Sequence, residues 1–186
     1  MADNKCFEKL NVSDSRLPKG EYNNCTFKNC SFYEADISGF IFRECVFDNC
    51  DLSLATLKNT TFHEVSFNNC KMLGLQFQHC NSFLFSVNFK NCMLKLAVFC
   101  TLKLKKYRFE NCNLQEADFT DADLSGSVFA NCDLLRTIFY NSNLEKADFT
   151  TSFNYSLDPE RNKVKKARFS RNGVLGLLQK YNLEIE

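Results

Sequence analysis

Residues 117–149 read ADFTD-ADLSG-SVFAN-CDLLR-TIFYN-SNLEK-ADF, a pattern that repeats every five residues. Each block has a small residue first, usually a polar residue second, and a large apolar residue at its centre. A period of five matches neither the 3.6 residues of an α-helix nor the 2.0 residues of a β-strand. It indicates a chain that turns a corner after each short extended segment and points one large side chain inward from each side.

The same pattern extends through most of the 186-residue chain. Stepping by five from Phe7 reaches a large apolar residue every time as far as Phe77. The frame then slips by two residues within 78–83 and resumes at Leu84. We interpret 78–83 as an outward bulge inside one repeat domain, residues 1–149.

A second period of 20 residues runs through the same central positions. Every fourth centre is a phenylalanine, with one spacing of 22 across the slip: Phe7, Phe27, Phe47, Phe67, Phe89, Phe109, Phe129 and Phe149. Four sides of five residues would close one coil, so these side chains would stack in one column inside a rod. The sequence therefore predicts an all-β fold, a four-sided parallel β-helix of about seven coils, with this column in its core.

Eleven cysteines would suggest disulfides in a secreted protein. Six of them recur at the small-residue position of the 20-residue period: Cys30, Cys50, Cys70, Cys92, Cys112 and Cys132. Cys-x4-Cys pairs would fall on successive sides of a coil, which suits tetrahedral zinc poorly. We therefore interpret the cysteines as small core residues that remain reduced.

Sequence patterns for catalysis are missing. His63 and His79 each follow a central position and are predicted to face solvent. The sequence contains no Gly-rich phosphate loop, HExxH or GxSxG. We predict that the protein is not an enzyme and has no catalytic, cofactor-binding or metal-binding residues.

We also expect a cytoplasmic protein without a membrane span. The chain has no long apolar run, and its first ten residues, MADNKCFEKL, do not look like a secretion signal.

Residues 150–186 depart from the repeat. We predict a loop containing Asp158-Pro159, then a short α-helix over 171–181 capped by Ser170, and then a terminal strand. This segment would cap the last coil, and its surplus of apolar residues predicts a homodimer. The candidate dimer interface consists of Val174, Leu175, Leu177, Leu178, Tyr181, Leu183 and Ile185.

The charge is nearly balanced over the whole chain, with 23 Lys plus Arg and 22 Asp plus Glu. Residues 110–149 are locally acidic and supply a candidate acidic partner surface: Glu116, Asp118, Asp121, Asp123, Asp133 and Asp148. Basic residues cluster at 103–108 and again at 161–171. The second cluster could be a nucleic-acid patch, but a solvated cap is commoner, so we expect no direct binding to nucleic acid.

Blocks such as ADFTD (117–121) and ADLSG (122–126) resemble the A-(D/N)-L-x-x consensus of the pentapeptide-repeat family over about residues 5–149. This resemblance implies a right-handed quadrilateral β-helix.

The tail is similar to the C-terminal helix through which Qnr- and MfpA-type members pair end to end into a rod that mimics DNA. It implies binding to DNA gyrase or topoisomerase IV and quinolone protection, although the long projecting loops of some Qnr proteins have no match here. The alternative is a structural scaffold or interaction module with an unrelated partner.

Overall fold

The computed structural model describes residues 1–12 and 17–184 and shows a four-sided parallel β-helix. We number the faces in chain order by the central residues of one coil: Phe27 (first face), Phe32 (second), Ile37 (third) and Phe42 (fourth). All four side chains are completely buried. The predicted all-β parallel solenoid is confirmed.

Short strands on two of the faces form two parallel sheets among the described residues. The first face carries β2 (Cys6–Glu8), β4 (Thr26–Lys28), β6 (Val46–Asp48), β8 (Val65–Asn68), β9 (Val87–Lys90), β10 (Arg108–Glu110) and β11 (Val128–Ala130). The fourth face carries β1 (Ala2–Asp3), β3 (Glu21–Asn23), β5 (Ile41–Arg43) and β7 (Thr61–His63). Isolated parallel bridges link the coils on the second and third faces and extend the first-face ladder to Arg168.

The register of the first-face sheet shows both predicted periods. Phe27 pairs with Phe47, and Phe47 pairs with Phe67, so one coil takes 20 residues. Phe67 pairs with Phe89 across the slip, a step of 22 residues. The two extra residues therefore leave the phenylalanine column on its face, as the sequence predicts.

Stacked side chains fill the interior of the rod. In the predicted column, the residues from Phe27 to Phe149 are buried, whereas Phe7 in the first coil is half-buried. Rings of successive coils stack, with the centroids of Phe109 and Phe129 5.2 Å apart. Rings of neighbouring columns meet edge to face, as Phe109 and Phe119 do at 82°. Both arrangements suit the aromatic quadrupole, so the columns stabilise one another.

The corners of the coil require a left-handed backbone at the second residue after most centres. After the first face this position is usually asparagine, with φ between 52° and 55° at Asn29, Asn49, Asn69, Asn91, Asn111 and Asn131. Asparagine tolerates this conformation better than most residues with a Cβ. The side-chain amides also form a ladder along the rod, because Asn111 donates to Asn91 at 3.0 Å and Asn131 donates to Asn111 at 3.2 Å. Our sequence analysis missed this ladder, although the recurrence of asparagine every 20 residues signals it.

The bulge takes the form of two 3-10 helices, Phe77–His79 and Ser82–Leu84. Phe83 at its tip is 86% exposed. The expectation that Leu84 resumes the core positions is wrong, because Leu84 is only half-buried and Phe85 packs against the core instead. Side chains in a 3-10 turn do not alternate as they do in a strand, so the inward position shifts by one residue.

The coil is interrupted after Phe149 and then resumes. Tyr155 and Leu157 fill the core in place of a residue at the next regular position, Asn154, which turns a left-handed corner. Phe169 then stacks on Phe149 with a centroid distance of 5.2 Å, so part of a further coil is completed.

The predicted α-helix over residues 171–181 is wrong. The structure has two 3-10 helices instead, Gly173–Leu177 and Gln179–Tyr181. Two glycines within five residues disfavour an α-helix. Ser170 does cap this segment, because its Oγ accepts a hydrogen bond from the backbone N–H of Gly173 at 3.0 Å. Of the predicted terminal strand, Leu183 is not in a strand and Ile185 lies outside the described residues.

Candidate interaction surfaces

The C-terminal cap is held against the rod by close packing around Tyr155. A Cβ atom on Gly173 would overlap the Tyr155 hydroxyl, and one on Gly176 would overlap the Tyr155 carbonyl oxygen. Leu157 also donates its backbone N–H to the carbonyl of Gly176 at 3.3 Å. The glycines are therefore required where the cap backbone approaches the last coil.

Ion pairs and a hydrogen bond connect Lys180 and Tyr181 of the cap to the loop at residues 158–160. Lys180 Nζ lies 2.7 Å from Asp158 Oδ1 and 2.6 Å from Glu160 Oε2, and Tyr181 Oη donates to Glu160 at 3.1 Å. The hydrogen bonds from Lys180 hold the pKa of both carboxyl groups below their ordinary values. These contacts fix the orientation of the second 3-10 helix relative to the rod.

The cap leaves most of the predicted dimer residues exposed. Five of them are at least a third exposed: Val174, Leu175, Leu178, Tyr181 and Leu183. Leu177 differs, because it is partly buried and packs against the core. Leu175, Leu178 and Leu183 line a shallow groove together with Leu135 of the second face.

Two exposed apolar residues of the rod, one of which lines this groove, were not predicted from the sequence. Leu135 is 42% exposed and Phe153 is 49% exposed, although both occupy second-face positions that are often polar. The sequence does signal these two residues, because each is a large apolar residue beside a central position, where a polar residue is usual. We use the name C-terminal apolar surface for Leu135, Val174, Leu175, Leu178 and Leu183.

The six residues of the predicted acidic surface lie on all four faces. Glu116, Asp118 and Asp121 follow one another along one coil, across the third face and its two corners. Asp133 is on the second face, Asp123 on the fourth and Asp148 on the first. The structure therefore groups Glu116, Asp118 and Asp121 around one face and places the other three on different faces.

Hydrogen bonds keep the separated carboxylates ionised. Partial burial opposes ionisation of Asp133, but hydrogen bonds from Gln115, Asn154 and the Leu135 amide hold its pKa below the usual value. The pKa of Asp148 is lowered in the same way, against partial burial, by Thr150 and Arg168. These carboxylates stabilise turns and neighbouring coils.

The cysteine column lies inside the rod, and each thiol contacts the preceding coil of the helix. Cys92 Sγ donates to the carbonyl of Phe67 at 3.3 Å, and Cys50 Sγ donates to that of Phe27 at 3.3 Å. Thr60 and Ser127 occupy equivalent positions and make the same bond through a hydroxyl group. The position therefore accepts a small side chain, and a thiol or hydroxyl group there donates one hydrogen bond to the preceding coil.

All eleven cysteines are free thiols, and nine of them are buried. Burial raises the pKa of the Cys45 thiol to about 11, so it remains protonated near neutral pH. Cys6 is exposed and Cys100 is partly exposed.

Neither histidine lies in a candidate metal site. His63 is half-buried and His79 is exposed. Within residues 1–12 and 17–184, no group of three or more His, Cys, Asp or Glu could hold a metal ion. The helices described in this structure are all too short or too polar to cross a membrane.

Comparison with known proteins identifies the repeat. The family model described as the pentapeptide repeat region matches residues 15–99 and 60–139. No curated protein matches the chain.

Solved structures of repeat proteins are also similar to this chain. A trypsin-treated form of QnrB1, described as a plasmid-mediated fluoroquinolone resistance protein, is 21% identical with a TM-score of 0.45, over 100% of this chain and 97% of that one. Full-length QnrB1 is 20% identical with a TM-score of 0.44, over 97% of this chain and 99% of that one. HetL from Nostoc sp. strain PCC 7120, involved in heterocyst differentiation regulation, is 15% identical with a TM-score of 0.31, over 92% and 91%.

The family match covers more than half of the chain, and it falls on the residues whose centres form the stacked columns of the rod. The chain belongs to the pentapeptide-repeat family.

Proposed function

We propose that this protein is a non-enzymatic binding rod whose partners contact its outer faces. The observation that carries the proposal is the filled interior, in which stacked side chains occupy the axis of the coils. Catalytic sites generally need a concavity in which polar groups converge. A solid rod with flat sides offers extended surfaces for a macromolecular partner instead.

We propose a type II topoisomerase, such as DNA gyrase, as the partner, with quinolone protection as the consequence. This proposal rests on the resemblance of the repeat to that of Qnr- and MfpA-type proteins. It is supported by Asp118 and Asp121, which have no ion pair within the described part of the chain and are available to a basic surface. The chain's net charge of +1 is far from the density of DNA, about one negative charge per 1.7 Å, so any mimicry would be local.

The test is a gyrase supercoiling assay with and without ciprofloxacin, together with a direct binding measurement. We expect the purified protein to bind gyrase and to alter supercoiling or relieve inhibition by the drug. If it does not bind and changes neither activity, the topoisomerase proposal is wrong.

Asp118→Asn and Asp36→Asn form a matched pair of variants for this assay. Both residues precede a third-face centre, and each accepts a hydrogen bond from the amide two residues later, Asp118 from Thr120 at 2.8 Å and Asp36 from Ser38 at 2.9 Å. Asparagine keeps an oxygen that can accept this bond but removes the charge. We expect Asp118→Asn to weaken gyrase binding and Asp36→Asn to leave it unchanged; equal effects would argue against a contact in the coil of Asp118.

A further inference from the structure

The two basic clusters contain the same arrangement of charges. Residues 103–108 read KLKKYR and residues 163–168 read KVKKAR, so four basic residues occupy identical positions in each segment. The segments are 60 residues apart, which equals three coils of 20. Lys106 and Lys166 even share the same left-handed backbone, with φ of 59°.

The ladders of the β-helix place these segments above one another. Lys103 is linked to Lys163 through successive parallel bridges at Asp123 and Asn143. Arg108 is linked to Arg168 in the same way through Val128 and Asp148. Three ladder steps of about 4.8 Å separate the segments by about 14 Å. Two parallel rows of four basic residues therefore run around the corner between the fourth and first faces.

All eight side chains of this two-row basic surface are exposed: Lys103, Lys105, Lys106, Arg108, Lys163, Lys165, Lys166 and Arg168. Residues 103–108, 123–128, 143–148 and 163–168 together contain nine basic and three acidic residues, a formal charge of +6. The surface is thus far more positive than the whole chain, whose net charge is +1.

Most of these positive charges are not neutralised by neighbours. Lys105 pairs with Asp123 at 3.2 Å, Arg168 pairs with Asp148 at 3.0 Å, and Arg108 pairs with Glu110 at 3.4 Å. The other five members, all lysines, make no ion pair with any residue that the structure describes. Such a patch is available to an anionic partner.

We propose that the two-row basic surface binds the phosphate backbone of duplex nucleic acid without sequence specificity. The two rows are separated by a distance close to the width of the major groove, about 12 Å, so each row can follow one strand. Lysine acts as a point charge toward phosphate, and six of the eight residues are lysines. The four segments present no exposed aromatic side chain for base stacking, since Tyr107 is half-buried and donates its hydroxyl to the Phe85 carbonyl.

This inference goes beyond the proposed protein partner and reverses our expectation from the sequence, which treated the two clusters separately. The register of the coils joins them into one surface. Its test contains no topoisomerase, so its outcome is independent of the proposed function.

The experiment measures binding to a fluorescently labelled duplex DNA of about 30 base pairs by anisotropy, over a series of salt concentrations. Each phosphate contact contributes about 0.9 to the slope of log affinity against log salt. The variants are Lys103→Gln/Lys105→Gln/Lys106→Gln for one row and Lys163→Gln/Lys165→Gln/Lys166→Gln for the other. We expect each triple variant to reduce the slope by about 2 to 3 and the affinity in low salt by at least tenfold.

Lys28→Gln/Lys58→Gln/Lys71→Gln is the matched control, because it removes the same charge from three exposed lysines that lie outside the two rows. We expect this control to bind almost as the unaltered protein does. Circular dichroism confirms that all variants are folded. The proposal is overturned if the unaltered protein shows no salt-dependent binding, if the control loses as much affinity as the row variants, or if polyglutamate competes as well as unlabelled duplex, since that would indicate an acidic protein partner.

Discussion

At the scale of single residues, the asparagines at the corners have two separable effects. Asn111 adopts a φ of 53°, and its side chain donates to Asn91 and accepts from Asn131. The left-handed backbone costs about 1–2 kcal/mol for an ordinary residue with a Cβ, and less for asparagine or glycine. The ladder adds hydrogen bonds between coils, although solvent exposure limits their contribution.

Two substitutions at Asn111 distinguish these effects. We expect Asn111→Ala to lower the free energy of unfolding by about 1–2 kcal/mol, because it loses both the backbone preference and the ladder. Asn111→Gly keeps the backbone preference and loses only the ladder, so its stability should lie between those of Asn111→Ala and the unaltered protein. Urea unfolding followed by circular dichroism measures all three. Equal losses for alanine and glycine would show that the backbone conformation is not the reason for asparagine.

The residue scale also shows what the sequence can predict. The phenylalanine column is predictable because each member obeys a local rule, a large apolar residue every five positions, which needs no knowledge of the rest of the chain. Whether Leu84 points into the core is not predictable from such a rule. Two extra residues can be accommodated in several ways, and the structure uses 3-10 turns. The two-row basic surface was predictable in principle, since residues 60 apart lie on the same face.

At the scale of elements, the cap shows the limit of local patterns. Val174, Leu175 and Leu178 have a spacing typical of an amphipathic helix, and this spacing predicts an α-helix. The actual conformation depends on Tyr155, about 20 residues earlier, whose side chain and carbonyl the cap backbone approaches closely. That tertiary contact leaves no periodic signal in the sequence beyond the two glycines, Gly173 and Gly176.

Gly176→Ala tests whether this close approach holds the cap in place. The added methyl group would overlap the backbone carbonyl of Tyr155, which cannot move aside as the end of a flexible side chain could. We expect the cap to detach locally, so that the amides of residues 173–181 exchange hydrogen at least tenfold faster while the first-face strands remain protected. Gly20→Ala is the control, because its Cβ would lie 3.7 Å from its nearest neighbour, an ordinary contact. Unchanged exchange in Gly176→Ala would show that the cap is held by other contacts, such as those of Lys180.

At the scale of the whole molecule, both ends of the rod expose the edges of its coils and need a cover. The C-terminal end has the cap, which itself exposes the C-terminal apolar surface. The basic row at residues 163–168 is in the last coil, close to this surface. If two copies pair through their caps, their basic surfaces would lie near the middle of the resulting rod and could bind one duplex together. Dimerisation would therefore affect binding to both proposed partners, the topoisomerase and duplex nucleic acid.

Leu175→Asp combined with Leu178→Asp tests the dimer. Both side chains are exposed, 46% and 37%, whereas Leu177 packs against the core, so these charges should disrupt pairing without disturbing the cap. By light scattering we expect the unaltered protein to have twice the chain mass of 21.5 kDa and the double variant to have the mass of one chain. Leu54→Asp with Leu96→Asp is the matched control, since these leucines at the corners after the second face are 47% and 44% exposed and lie outside the C-terminal apolar surface. A monomeric unaltered protein, or a double variant that stays dimeric, would contradict pairing through the C-terminal apolar surface.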